Sequence, residues 1–191
     1  TPAARCSRSA APGPRPMPDR GGRNPAPLAA NGRMFLQGDR VLFGIDAYNG
    51  TVLWTFFSPE MRRSNMPRDG SNMVATDDTL FVTIGSECIA LDAQTGQQRA
   101  TVNAVKGRDW GWLSAGKGQL LSATVKTGSS YKADSGEWYD SFAVGQVDRV
   151  VSDSLVSHDS ITGKKKWAYR GGAVMNSTIT IADDTIYFVE S

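Results

Sequence analysis

The chain has 191 residues, of which 40% are hydrophobic and 21% charged, and its net charge is +2. That balance fits one ordinary globular domain with a proper core and is too weakly basic for a nucleic-acid partner. No apolar run approaches the ~18 residues of a membrane span. The cysteines, Cys6 and Cys88, form neither a disulfide framework nor a C-x-x-C metal pair.

Residues 1–27 hold seven of the nine prolines and many Ala, Gly and Arg. Arg5, Arg8, Arg15, Arg20 and Arg23 face a single acid, Asp19, in this stretch, which leaves the rest of the chain close to −2. Such a segment buries too little apolar surface to offset its ordering entropy, so a disordered leader is predicted over 1–27. It lacks the apolar core of a secretory signal. Cys6 falls in this leader. Cys88 falls in a strand pattern, where a free thiol packs as a small hydrophobe.

From residue 28 the chain repeats itself. IDAYNGTVLW at 45–54, LDAQTGQQRA at 91–100 and HDSITGKKKW at 158–167 share one pattern. An Asp (Asp46, Asp92, Asp159) is followed four residues later by Gly (Gly50, Gly96, Gly163), and four further on by Trp54, Ala100 or Trp167. A second element recurs as AANGRMFL at 29–36, ATDDTLFV at 75–82 and ADDTIYFV at 182–189, with a weaker copy, AGKGQLLS, at 115–122. Both elements of the first two units are offset by 46 residues. A polar pair such as Asn31-Gly32 or Asp77-Asp78 between apolar runs predicts a tight hairpin. In D-x-x-T/N-G the Asp carboxylate accepts backbone N–H bonds across a turn that the Gly ends with a positive φ. Each unit is then a meander of four strands that cannot bury both faces alone, so units must stack. The expected fold is all-β: a partial β-propeller of about three and a half four-stranded blades over 28–191.

The third unit is longer. Asp92 to Asp159 spans 67 residues, and the surplus, TGSSYKADSGEWYDSFAVGQVD at 127–148, is predicted to be an insertion within one blade. The last unit stops after DDTIYFV without its turn, so an incomplete propeller is expected, with the remaining blades as its first partner.

The pattern A-x-D-x-x-T-G-K-x-x-W resembles the tryptophan-docking motif of the PQQ-like propeller superfamily. That group holds quinoprotein alcohol dehydrogenases and non-enzymatic relatives such as the BamB-type outer-membrane assembly lipoprotein. The likeness rests on Ala90 to Gly96, Asp159 to Trp167, and Asp46 to Trp54 with Asn49 in place of Thr. Stretches such as RNPAPLAANGR and DAYNGTVLW look like bacterial PQQ-binding-like repeat proteins. The resemblance implies a periplasmic or exported protein. It departs from the dehydrogenases in having no vicinal cysteine pair and no haem-attachment C-x-x-C-H. No motif places calcium ligands for PQQ, so no cofactor is expected from this stretch, and PQQ with calcium belongs only to a longer protein.

Catalytic residues occur once, whereas Asp46, Asp92, Asp159, Trp54 and Trp167 recur. They are read as turn caps and inter-blade packing. Ala100 in place of a docking Trp predicts a weaker or differently packed joint. His158, the only histidine, occupies the position of Ile45 and Leu91 and has no identifiable partner for general-base work, since the adjacent Asp159 points to the other face. The candidate binding surface lies where the repeat breaks. Arg62, Arg63 and Arg68 on a connection suit a carboxylate or phosphate. Trp110 and Trp112, two apart and on one face if extended, join Tyr131, Trp138 and Tyr139 of the insertion as stacking or anchoring groups. The expected role is a binding or scaffold propeller without catalysis in this stretch, taking a protein or small polar ligand. The alternatives are a fragment of a PQQ-dependent alcohol or sugar dehydrogenase, or a propeller appended to an unrelated enzyme domain.

Overall fold

The computed structural model describes residues 26–38, 40–61, 72–126 and 151–190. Among them, strands β1 (Leu28–Ala30), β2 (Arg33–Gln37), β3 (Val41–Asp46) and β4 (Val52–Phe57) form one antiparallel meander. Strands β5 (Met73–Ala75), β6 (Thr79–Ile84), β7 (Glu87–Asp92) and β8 (Gln98–Asn103) form a second. Strands β9 (Arg108–Gly116), β10 (Gln119–Lys126), β11 (Val151–Asp159) and β12 (Lys165–Met175) form a third. A short 3-10 turn at Asn176–Thr178 leads into a final hairpin, β13 (Thr180–Ala182) and β14 (Thr185–Tyr187). This is a partial β-propeller of three four-stranded blades and a two-stranded one, and the long connection within the third blade falls between β10 and β11.

Local chemistry sets the hairpins. Asn31 (φ 46) and Gly32 (φ 72) both adopt the left-handed region, the two-residue turn whose twist matches the flanking strands. The first strands of successive blades, β1 with β5 and β5 with β9, lie side by side. Apolar faces close between blades, as sheets with one unpartnered face require. Phe35, Leu42 and Trp54 of the first blade pack on Leu80, Val82 and Leu91 of the second. Phe81, Cys88 and Val102 of the second pack on Trp110, Leu113 and Leu120 of the third. Ala123, Leu155 and Val174 of the third pack on Ile186 and Phe188 of the last. Cys88 is the buried free thiol its pattern suggested, and burial pushes its pKa up to about 12.

One irregularity repeats in all three full blades. The pairing of the third and fourth strands slips at Gly44/Ile45, Ala90/Leu91 and Ser157/His158. Each slip is a β-bulge that leaves one extra residue on the outer strand: Leu53, Arg99 and Lys166. The bulge sits just before the turn Asp and re-aims the side chains around it.

Candidate functional site

The three D-x-x-T/N-G turns are built alike. Asp46 Oδ1 accepts the N–H groups of Tyr48 and Asn49 at 2.8 and 3.2 Å. Asp92 Oδ1 accepts those of Gln94 and Thr95 at 2.8 and 2.7 Å. Asp159 Oδ1 accepts those of Ile161 and Thr162 at 3.1 and 2.8 Å. Gly50, Gly96 and Gly163 close the turns at φ 76, 71 and 68° and donate back to the Asp carbonyls. The bulged residue completes two of them. Arg99 Nη2 reaches Asp92 Oδ2 at 2.5 Å and Lys166 Nζ reaches Asp159 Oδ2 at 3.3 Å, while the first turn has the apolar Leu53 at that position. Hydrogen bonding from Thr95 N–H, then from Arg99, holds Asp92 down at about 2. Thr162, by its N–H and then its hydroxyl, does the same for Asp159 with Lys166. These carboxylates accept bonds in fixed directions and stay ionised, which suits turn caps and does not suit proton transfer near neutrality.

Trp54 shows what the turn is for. Its ring is 8% exposed, and its Nε1 donates to Ala93 O in the next blade at 3.1 Å. The indole lies between Gly44 of its own blade and Gly96 of the neighbour's turn. A Cβ on Gly96 would fall 2.6 Å from the ring, and one on Gly44 would overlap it. The ring therefore needs bare backbone on both sides.

The second joint is packed differently, as the loss of Trp at Ala100 suggested. Val102, two residues on, reaches the next turn and would meet a Cβ on Gly163 at 3.0 Å. Opposite Ala100 stands Ala90, where Trp54 has Gly44. Trp167 stands opposite Ser157 and is 39% exposed. It borders a cleft of about 530 Å³ between the third blade and the β13–β14 hairpin. Leu121, Ile181 and Ile186 line its apolar side, and Lys117 Nζ meets Asp184 Oδ1 at 3.0 Å on its rim. Neither that ion pair nor the Asp92–Arg99 pair was anticipated from sequence. The cation three residues after the Gly in TGQQR and TGKKK was the available signal for the latter.

The expectation that Trp110 and Trp112 share a face does not hold. Trp112 pairs with Ala123 and Trp110 with Thr124, so a bulge at Gly111 intervenes. Trp110, 3% exposed, enters the joint with the second blade, while half-buried Trp112 packs toward the last hairpin. His158 is buried beside Trp110, with ring centroids 5.6 Å apart and planes at 74°. Its Nδ1 has no hydrogen-bond partner, so nothing orients it as a base. Arg62, Arg63 and Arg68, the 127–148 insertion with Tyr131, Trp138 and Tyr139, and nearly all of the 1–27 leader lie outside the described residues.

A family profile described as outer membrane protein assembly factor BamB matches residues 17–110. The chain superposes on a quinohemoprotein alcohol dehydrogenase from Pseudomonas putida HK5 with a TM-score of 0.52 and 18% identity, over 78% of this chain and 21% of that one. The corresponding enzyme from Comamonas testosteroni gives 0.52 and 19%, over 80% and 21%. Residues 17–110 thus resemble the PQQ-like repeat family, and the fold is that of a partial β-propeller. A europium-containing methanol dehydrogenase also aligns, at 0.52 and 14%, over 86% of the propeller chain and 37% of the enzyme. At these identities the likeness is one of fold, and the propeller chain spans between about a fifth and two fifths of those enzymes. No curated protein matches it. Among its described residues no group of three or more His, Cys, Asp or Glu side chains is placed to hold a metal ion, and no helix is long and apolar enough to cross a membrane.

Proposed function

We propose that this PQQ-like propeller stretch is a binding or scaffold module without catalysis of its own, in a periplasmic or exported protein. The observation that carries the reading is the use made of the repeated polar residues. Asp46, Asp92 and Asp159 are committed to their turns, and Trp54 to an inter-blade seat. What remains for binding is the half-exposed Trp167 cleft and the places where the repeat breaks, with Arg62, Arg63, Arg68, Trp112, Tyr131, Trp138 and Tyr139 as candidate contacts. A cleft with one aromatic wall and charged rim groups suits a small polar ligand or a strand hairpin of a partner, the propeller's own further blades included.

The second reading, a stretch of a PQQ-dependent alcohol or sugar dehydrogenase, is favoured by the names of its structural neighbours. PQQ with calcium would supply oxidation chemistry there, but the described carboxylates do not fit a calcium site: no three of them are grouped, and Asp46, Asp92 and Asp159 are turned into their own turns. Cofactor ligands would have to come from elsewhere in the protein. A propeller joined to an unrelated enzyme domain is the third reading. Thermal melts with and without PQQ and Ca²⁺ distinguish the first two. No shift and no quinone absorbance are expected, and a saturable stabilisation would overturn the scaffold reading.

A further inference from the structure

The joint between the second and third blades differs from the first in what it buries. At the repeat position where the other blades place Ile45 and Leu91, the third places His158, 7% exposed. Trp110 stands edge-on to it, and both His158 Nδ1 and Trp110 Nε1 are buried without a hydrogen-bond partner. Buried polar atoms without partners are rare and costly, so this joint gives up something the first joint does not. Around them the core is Phe81, Cys88, Val102 and Leu120. A backbone bond from Trp110 N to Gly85 O at 3.0 Å closes the same joint.

We propose that this joint is an acid-opened hinge, with protonation of His158 releasing the third blade from the second. A neutral imidazole fits there with one orphan nitrogen. An imidazolium must donate from both, and the group beside it, the Trp110 indole, is a donor. The charged neighbours do not help. Lys165, paired with His158 across β12, is cationic. The Asp159 carboxylate is held by Ile161, Thr162 and Lys166. The titratable group the second blade brings to this core is Cys88, a thiol kept neutral by burial. Burial, then Lys165, lower the His158 pKa, in agreement with that geometry. In the opened joint both nitrogens reach water and the imidazole recovers its ordinary affinity for protons. With an ordinary pKa near 6.5, lowering the pH to about 5 favours the open form by up to ~30-fold. The proposal does not depend on whether the propeller binds a ligand or PQQ.

Cys88 is the reporter, because its thiol is reachable only when this joint opens. In a Cys6→Ser background, Cys88 is labelled with an acid-active pyridyl disulfide, and each rate is divided by that of the urea-unfolded protein at the same pH. The normalised rate should rise five- to thirtyfold between pH 7.5 and 5, and should stay flat in His158→Leu, which restores the side chain of the other repeats. An equal rise in His158→Leu, or a flat profile in the parent, overturns the hinge. Should His158→Leu fail to fold, the parent still decides. With one histidine in the chain, its imidazole proton signal titrates alone, and a native value at or above 6.5 also overturns the hinge.

Discussion

Trp54 and Gly96 meet across the first blade joint as an aromatic ring against bare backbone, with the indole N–H on Ala93 O at 3.1 Å. Gly50 holds the same turn position in the first blade at φ 76°, yet a Cβ there would meet nothing within 4 Å. The two glycines thus share backbone strain and differ only in having a neighbour. Gly50→Ala should cost about 1 kcal/mol, the left-handed penalty alone. Gly96→Ala should cost about 2–4 kcal/mol, because the ring must also move. Urea midpoints of the two variants test this, and equal losses would mean the ring yields freely.

Removal of the two indoles should be unequal in the same way. Trp54 is buried and bonded, so Trp54→Ala should cost about 3–5 kcal/mol. Trp167 is 39% exposed, and Trp167→Ala should cost about 1–2 kcal/mol. Thermal melts compared on the same preparation read both.

Restoring the missing docking residue should fail alone. In Ala100→Trp the new ring meets the Ala90 methyl opposite and finds Val102 already on the Gly163 turn. A loss of about 1–3 kcal/mol is expected. Adding Ala90→Gly and Val102→Ala, which copies the bare surface Trp54 enjoys, should recover most of it. Strongly non-additive midpoints across the set are the outcome to look for.

Acid should act on the turns in a defined window. Asp92 and Asp159 sit at about 2 in the folded chain against an ordinary 3.8. As pH falls the unfolded chain takes up those protons first, so their stabilisation is present above about pH 4 and is lost between about 4 and 2. Asp92→Asn should lower stability at pH 7 and flatten that part of the profile. The leading cause is bonding to backbone N–H groups, so the window should survive about 1 M salt, which screens the exposed Arg99 pair.

The repeat made much of the fold legible. The Asp-to-Gly spacing marked every D-x-x-T/N-G turn, and the polar pairs marked hairpins such as Asn31-Gly32. Side-chain direction was less legible. Trp110 and Trp112 were placed on one face by simple alternation, and a single extra residue at Gly111 divided them between two joints. Val102 could not be foreseen as the residue that replaces a docking Trp, since its position depends on how closely two blades approach.

The amino-acid sequence by itself determined what is local and periodic: an all-β meander, its turns, and the identity of the residues that cap them. These follow from φ preferences, from the reach of one carboxylate over the next three residues, and from alternation along a strand. Only the tertiary structure decided which tryptophan is seated and which stands at an open cleft, and that His158 and Trp110 share a joint with two unpaired nitrogens. Those outcomes depend on pairs such as Trp54 and Gly96, 42 residues apart, brought together by stacking of sheets rather than by any short-range preference.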